Sequence, residues 1–204
     1  MKKITMTITL LIVWSINIFS QDSSSSTLTK SSIFIGYDLG EMAFNKFQNF
    51  GGEIGYKFKN DHTLSFVYLN VKLTEGHLSS GFANAVDGNN VTGLWHAYDL
   101  YYNLPIFRFK NGTSFVYGGL TAGYQEHLYQ HTSLEDSVEN KTATIGFDIG
   151  LRETNIFKVK GLYINLQIPF GYNFIPQEET KLGDATVNKS VFDQTISFFV
   201  GYEF

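Results

Sequence analysis

One polar segment contains residue types that could support hydrolysis. Glu75, His77, Ser79 and Ser80 bring together a carboxylate, an imidazole and two hydroxyl groups over a short stretch of chain. A nucleophilic serine needs a hydrogen-bonded base and an acid that orients that base, and sequence spacing alone does not provide this geometry. The segment matches no catalytic motif. The sequence therefore favours a solvated polar loop and predicts no catalytic residue.

A second segment contains possible ligands for a divalent cation. Its members are Glu126, His127, His131, Glu135 and Asp136. Imidazole and carboxylate groups together suit several divalent metals. Their spacing matches no strong metal motif, and acidic surface loops also attract free cations. We therefore expect neither a specific metal site nor a bound cofactor.

The composition excludes several classes of protein. The 204 residues include no Cys, so disulfides, thiolate metal sites and a cysteine nucleophile are absent. A formal net charge of -4 argues against a nucleic-acid partner. The aromatic share of 16% is high, whereas 43% hydrophobic residues is too low for a bundle of membrane helices.

The beginning of the chain has the pattern of a secretory signal. Lys2 and Lys3 precede an apolar run over residues 4–19, and the small residue Ser20 offers a cleavage point. The alternative is an uncleaved anchor, but the Thr and Asn residues of this run make a poor permanent span. We expect a signal peptide over residues 1–20, a flexible Ser/Thr-rich lead-in over 21–32, and one folded domain over 33–204.

The elements that position these polar segments are strands. Apolar and polar residues alternate from Val191 to Phe204, which is the period of a half-buried strand. The same pattern occurs in seven upstream segments, near residues 33–40, 50–59, 63–73, 94–103, 114–124, 144–152 and 162–171. Several segments approach the roughly 9 to 11 residues of a tilted membrane-crossing strand. The sequence predicts an all-β fold, an eight-stranded antiparallel up-and-down transmembrane β-barrel.

The predicted connections alternate in length. Polar loops of nine residues or more occupy 41–49, 74–90, 125–141 and 173–189, and shorter turns lie between them. Outer-membrane barrels have long extracellular loops and short periplasmic turns, so this pattern indicates that both termini are periplasmic.

Three features of the predicted strands leave their geometry open. In the third strand both faces are apolar, and we assign Leu64, Phe66 and Tyr68 to the outside. Glycines in the fifth strand obscure which of its two faces points outward. Pro169 cannot donate a hydrogen bond to a ladder, so we expect it near a rim or at a bulge.

The polar face carries charges inside the predicted strands. These are Glu53, Lys57, Asp99, Asp148, Arg152 and Glu203. An eight-stranded interior is just wide enough to be filled by side chains or to hold one small ligand. Unpaired charges are costly in so narrow a space, so we expect these six residues to form a charge network that plugs the barrel. A proton or cation path through the three carboxylates Glu53, Asp99 and Asp148 is the alternative.

The alternating tail Phe198, Val200, Tyr202, Phe204 is similar to the C-terminal assembly signal of outer-membrane barrels. A glycine five positions before the end is common in that signal, and Phe199 stands there instead. As a whole, the chain resembles the small eight-stranded outer-membrane barrels. The resemblance implies a monomer in the outer membrane, in contact with lipopolysaccharide and recognised by the barrel-assembly machinery.

Three functions remain open at this point. The first is a non-enzymatic barrel that displays extracellular loops for envelope integrity, adhesion or binding of an unknown partner. The second is binding or transport of a small hydrophobic molecule, which requires Val67, Leu69 and Val71 to line an internal cavity. The third is a lipid A-modifying enzyme, a class that the resemblance includes.

Overall fold

The structure of the chain, a computed structural model, describes residues 30–40, 49–78, 85–109 and 113–204. The expected signal peptide and most of the first predicted loop lie outside these residues. Among the described residues, no helix is long and apolar enough to cross a membrane.

The described chain is almost entirely β-structure. The strands are β1 (Ser32–Asp38), β2 (Phe50–Lys57), β3 (Thr63–Leu73), β4 (Val86–Asp87), β5 (Val91–Arg108), β6 (Ser114–His131), β7 (Ser137–Thr154), β8 (Leu162–Gln177), β9 (Thr180–Leu182), β10 (Ala185–Val187), β11 (Ser190–Gln194) and β12 (Ser197–Glu203). One helical turn, α1 (Glu75–Leu78), precedes β4, and a 3-10 turn (Ile156–Lys158) joins β7 to β8.

The long strands close into an antiparallel barrel. Each pairs with its neighbour in the chain, and β1 pairs with β12 to close the circle, with Tyr37 opposite Val200. β11 and β12 both pair with β8 and together form one barrel strand. The predicted eight-stranded antiparallel barrel is confirmed.

The break between β11 and β12 coincides with a proline. The pairing of β8 with this last barrel strand stops at Phe170 and resumes at Gln167, which leaves Pro169 in the gap. On its other side Pro169 still lies opposite Asp148 of β7. The expectation of a rim or bulge position was wrong: the proline lies within the strand, and the ladder is interrupted because proline has no N–H to donate.

The exterior is apolar and the interior is mixed. Leu64 and Phe66 of β3 are exposed while Val67 is buried, so the assignment of the outward face of β3 is confirmed. The phase of β6 is also defined, because Leu120 is 69% exposed and its neighbour Thr121 only 7%. Outward apolar residues occur on every long strand and form a continuous band, which we call the apolar belt.

Aromatic residues lie toward both ends of the belt. At the end where β1 begins and β12 ends, the terminal end, Tyr202 contacts Phe204 with ring centroids 5.1 Å apart. Toward the opposite, loop end, Tyr98 contacts Tyr68 at 5.3 Å and Tyr124 at 6.4 Å. Outward residues beyond Tyr124 become largely polar. This order, from aromatic to apolar to aromatic and then to polar, is typical of membrane barrels.

The prediction of long loops was wrong for two segments, which the structure shows as paired strands. Residues 125–141 mostly continue β6 and β7 as a hairpin, with only a short turn at 132–136. Residues 173–189 extend β8 to Gln177 and then form the β9–β10 hairpin. Both segments lie beyond the belt. Strands can pair there through their backbones without an apolar outer face, so the segments are polar although they are strands.

Glycines of the inner face leave room for large interior rings, and β2 offers a matched test. A Cβ on Gly55 would collide with the buried ring of Phe34, whereas a Cβ on outward Gly52 would meet nothing closer than 3.4 Å. We expect Gly55→Ala to lower the free energy of unfolding by about 1–3 kcal/mol through overpacking. Gly52→Ala should leave it unchanged or slightly higher.

Urea titration of the protein in detergent micelles measures both values. Equal effects of the two substitutions would show that Phe34 moves aside without cost.

Candidate functional site: the barrel interior and its loop cap

Three interior charges meet at the terminal end of the barrel. Lys57 and Glu203 form an ion pair, and Arg152 Nη2 lies 3.5 Å from Glu203 Oε2. Ser32 Oγ donates a hydrogen bond of 2.9 Å to the same carboxylate. We call Lys57, Arg152 and Glu203 the ion cluster. It places both cations beside one carboxylate in a largely buried space, so each charge has a partner.

Arg152 connects the ion cluster to a fourth predicted residue. Its guanidinium lies 3.8 Å from the ring centroid of Tyr163 and 4.1 Å from that of Phe34. The Tyr163 hydroxyl donates a 2.8 Å hydrogen bond to Glu53 Oε1, and Glu53 is buried. A guanidinium packed on aromatic faces gains cation–π attraction. Arg152 therefore lies at the centre of the interactions at this end.

The remaining two predicted charges do not join the ion cluster. Asp148 Oδ2 accepts a hydrogen bond of 2.9 Å from Gln167, and both residues are buried. Asp99 is also buried, and no ion pair of either aspartate occurs in the part of the chain that the structure describes. The prediction of one network of six residues was wrong in this respect. Neutral amide donors, not cations, contact Asp148 in the middle of the barrel.

Apolar side chains fill the loop end of the interior. Val67, Leu69 and Val71 of β3 point inward, as the hydrophobic-ligand alternative requires. They belong to a buried apolar cluster that also contains Trp95 and Tyr129 from the wall. Further members come from outside the wall: Leu78, Val86, Leu182, Ala185 and Val187. The space over the inward face of β3 is thus filled by the chain's own connecting segments.

These connecting segments form a small folded unit, which we call the loop cap. β10 pairs with β9 on one side and with β4 on the other, so the cap is a three-stranded sheet. Asn188 N donates to Ala85 O at 2.9 Å, and Gln177 Nε2 donates to Asn188 O at 2.7 Å. The cap therefore joins two loops that are distant in sequence.

A hydrogen bond connects the cap to the β6–β7 hairpin. His131 Nε2 donates to Asp184 Oδ1 at 2.8 Å. His131 is buried while Asp184 is exposed. The hydrogen bond from His131 lowers the pKa of the Asp184 carboxyl below its ordinary value. The pair therefore fixes the β9–β10 turn against the neighbouring hairpin.

The first candidate chemical segment does not form a catalytic arrangement in the described residues. Glu75 Oε1 accepts a hydrogen bond of 2.6 Å from Asn90 N and so closes its own loop. Ser79, Ser80 and the side chain of His77 lie outside the described part of the structure. The observed role of Glu75 is structural.

The second candidate segment is divided by strand alternation. Glu126 faces outward and accepts from the Tyr124 hydroxyl at 3.1 Å, whereas His127 stacks between Trp95 and Tyr129. Burial lowers the pKa of His127 to about 4, so its ring is uncharged at neutral pH. In the described ranges, no three His, Cys, Asp or Glu side chains are grouped to hold a metal ion.

Two spaces border these groups. A void of about 10 Å³ lies in the terminal half of the interior, beside Glu53, Arg152 and Asn165. It holds roughly one water molecule. A shallow open cleft of about 450 Å³ lies at the tip of the β6–β7 hairpin, between Thr92 and Asp136. The larger space is therefore on the surface at the loop end and not in the lumen.

Sequence reasoning missed the loop cap and the role of Tyr163. On β8 and β1, Tyr163 and Phe34 are aromatic residues on inward faces that are otherwise small or polar, and this mismatch was the available signal. The cap carried a weaker signal, since Ala185 and Val187 alternate with polar residues and Leu182 lies just before them. Alternation over so few residues does not distinguish a strand from chance.

The likeness of this chain to known proteins is a likeness of fold. No protein-family model matches the chain, and curated protein sequences contain no match either. The chain is similar to the attachment invasion locus protein Ail of Yersinia pestis, solved with the heparin analogue sucrose octasulfate. The identity is 17%, the TM-score 0.44, and the match covers 85% of this chain and 97% of Ail.

Two further solved barrels are similar. The N-terminal β-barrel domain of OprF from Pseudomonas aeruginosa is 14% identical, with a TM-score of 0.46, over 86% of this chain and 98% of that domain. A major outer membrane protein of Thermus thermophilus is 11% identical, with a TM-score of 0.43, over 85% and 98%. None of these likenesses informs function. The closed eight-stranded barrel with its apolar exterior is the architecture expected from the resemblance to small outer-membrane barrels.

Proposed function

We propose that the chain is a non-enzymatic protein of the bacterial outer membrane whose loop end binds a partner outside the cell. The apolar belt carries this proposal. A band of exposed Leu, Ile and Phe around the whole circumference is far larger than the apolar patches of soluble proteins. Hydrocarbon is the solvent that such a surface requires, and a closed barrel leaves no open sheet edge within it.

The filled interior supports binding at the loops rather than transport through the lumen. The ion cluster occupies the terminal end, apolar side chains occupy the loop end, and the loop cap covers them. The folded cap and the surface cleft at the β6–β7 tip present a defined shape to the outside. We infer that the loop end is extracellular and that both termini are periplasmic. Contact with lipopolysaccharide, recognition by the barrel-assembly machinery and a monomeric state belong to the same proposal.

Planar-bilayer recordings test the closed lumen. We expect the purified protein to give no steady conductance, because the ion cluster and the apolar cluster occupy the two ends of the lumen. Heat-modifiable migration on gels provides the control, since it shows that the protein in the same sample is a folded barrel. Steady, saturable conductance from heat-modifiable protein would contradict a closed lumen and favour the cation path.

The enzymatic alternative has a separate test. Mass spectrometry of lipid A from cells with and without the protein should give identical profiles. A change in acyl chains or phosphates that depends on the protein would replace the proposed role with lipid A modification.

A further inference from the structure

The turn between β7 and β8 exposes an unusual combination of residues. Phe157 is 89% exposed, and Val159 is 47% exposed. Lys158 and Lys160, which alternate with them, are exposed as well. We call residues 155–161 the β7–β8 turn. Single exposed apolar residues are common on proteins, so the distinctive feature is the exposed ring together with the neighbouring cations.

The backbone of this turn is strained and firmly held. Asn155, Phe157 and Lys158 have φ of 60°, 53° and 63°, in the left-handed region. Non-glycine residues adopt this region at a cost and persist there only when surrounding contacts enforce it. Gly161 N donates to Asn155 Oδ1 at 2.9 Å, and Glu203 N donates to Gly161 O at 2.8 Å. The turn is therefore a fixed feature, tied to the last strand.

The two lysines of the turn differ from other cations at the same end. Lys57 and Arg108 each form an ion pair, with Glu203 and Asp61. Neither Lys158 nor Lys160 pairs with a carboxylate among the described residues. Two free positive charges beside an exposed ring match a ligand that is anionic on one side and apolar on the other.

The β7–β8 turn is continuous with the apolar belt. A Cβ on Gly161 would lie 3.0 Å from the outward ring of Tyr202, so the turn abuts the aromatic residues of the terminal end. Tyr202 in turn contacts Phe204. The turn therefore begins where the belt ends, at the level at which lipid headgroups meet water.

We propose that the β7–β8 turn binds anionic phospholipid in the leaflet that faces the terminal end. Lys158 and Lys160 contact the headgroup phosphates, and Phe157 inserts among the first acyl carbons. This proposal rests on the proposed placement of the barrel in a membrane. It adds an interaction that the belt alone does not provide, namely a preference for negatively charged lipid at one fixed position.

Native mass spectrometry of the purified protein tests this preference. The protein is released from mixed micelles that contain phosphatidylglycerol and phosphatidylethanolamine in equal amounts. We expect wild type to retain phosphatidylglycerol selectively. The variant Lys158→Gln/Lys160→Gln should weaken phosphatidylglycerol binding by about thirtyfold, which corresponds to about 1 kcal/mol for each lysine near an anionic surface.

Two further variants sharpen the test. Lys181→Gln/Lys189→Gln removes the same charge from the loop cap at the opposite end and should keep wild-type lipid retention. Phe157→Gly removes the ring and relieves the backbone strain, so it should fold at least as well and still bind phosphatidylglycerol more weakly.

Three results would overturn the proposal. One is equal phosphatidylglycerol retention by wild type and Lys158→Gln/Lys160→Gln. Another is an equal loss in the loop-cap variant, which would indicate general charge attraction. The third is sedimentation of wild type, but not of Lys158→Gln/Lys160→Gln, with purified peptidoglycan, which would identify a cell-wall partner. If the membrane placement itself were wrong, wild type would not become heat-modifiable in lipid vesicles, so the two failures are distinguishable.

Discussion

Arg152→Ala should lower the free energy of unfolding by about 3–5 kcal/mol, the cost of leaving a buried charge without its partner. The guanidinium is almost fully buried, packs on Phe34 and Tyr163, and lies beside Glu203. Its removal leaves the buried carboxylate of Glu53 without a nearby cation. Urea unfolding in detergent micelles, followed by tryptophan fluorescence, measures the loss.

Arg108→Ala is the matched control for this experiment. Arg108 also forms an ion pair, with Asp61, but its side chain is 46% exposed at the terminal end. Exposed pairs contribute about 1 kcal/mol or less. The double variant Arg152→Met/Glu53→Gln should recover part of the loss, because it removes both charges. Equal losses of unfolding free energy in Arg152→Ala and Arg108→Ala would show that burial does not strengthen the stabilising effect of Arg152.

Leu182→Ala should open the loop cap without unfolding the barrel. Leu182 is fully buried in the apolar cluster, and truncation of a buried leucine costs about 2–5 kcal/mol. The cap is held by fewer contacts than the barrel, so we expect it to open locally. Trypsin cleaves after lysine, and Lys181 and Lys189 lie within or beside the cap. Cleavage at these residues should accelerate by about thirtyfold or more, because 1.4 kcal/mol is a factor of ten.

Leu134→Ala provides the comparison for the cap. Leu134 lies at the tip of the neighbouring hairpin beside Gly183 of the cap, but it is 50% exposed, so its truncation should accelerate cleavage far less than Leu182→Ala does. Heat-modifiable migration of the cleaved Leu182→Ala protein shows whether the barrel remains folded. Unchanged cleavage in Leu182→Ala would mean that the cap does not depend on the apolar cluster. Loss of heat-modifiable migration would mean that cap and barrel unfold as one unit.

The barrel was predictable because one physical requirement governs all of its strands. Residues on the outside must be apolar, so the period of two recurs in each segment, as in Ile145, Phe147 and Ile149. Beyond the belt this requirement ends. In the outer parts of β6 and β7 both faces are largely polar, so the apolar period of two is lost. The sequence therefore predicted a loop where the structure has a hairpin.

The sequence predicted which residues point into the barrel but not which of them contact one another. The inward position of Asp99 and Asp148 follows from alternation. Their separation from Arg152 does not, because the stagger between tilted strands decides which inward residues face one another. Tyr163 reaches Glu53 across the lumen, between strands that are not neighbours. Sequence spacing carries no information about such a contact.

The pairing of β1 with β12 has a consequence for how the protein is made. These strands pair only from Phe34 to Asp38, whereas β5 and β6 pair along nearly their whole length. β12 follows every other strand, so the ribosome must finish it before the circle can close. Until then, β1 and β8 present open edges that hydrocarbon cannot satisfy. Closure of the barrel must therefore follow synthesis of β12, and both edges are open to pairing with other chains until then.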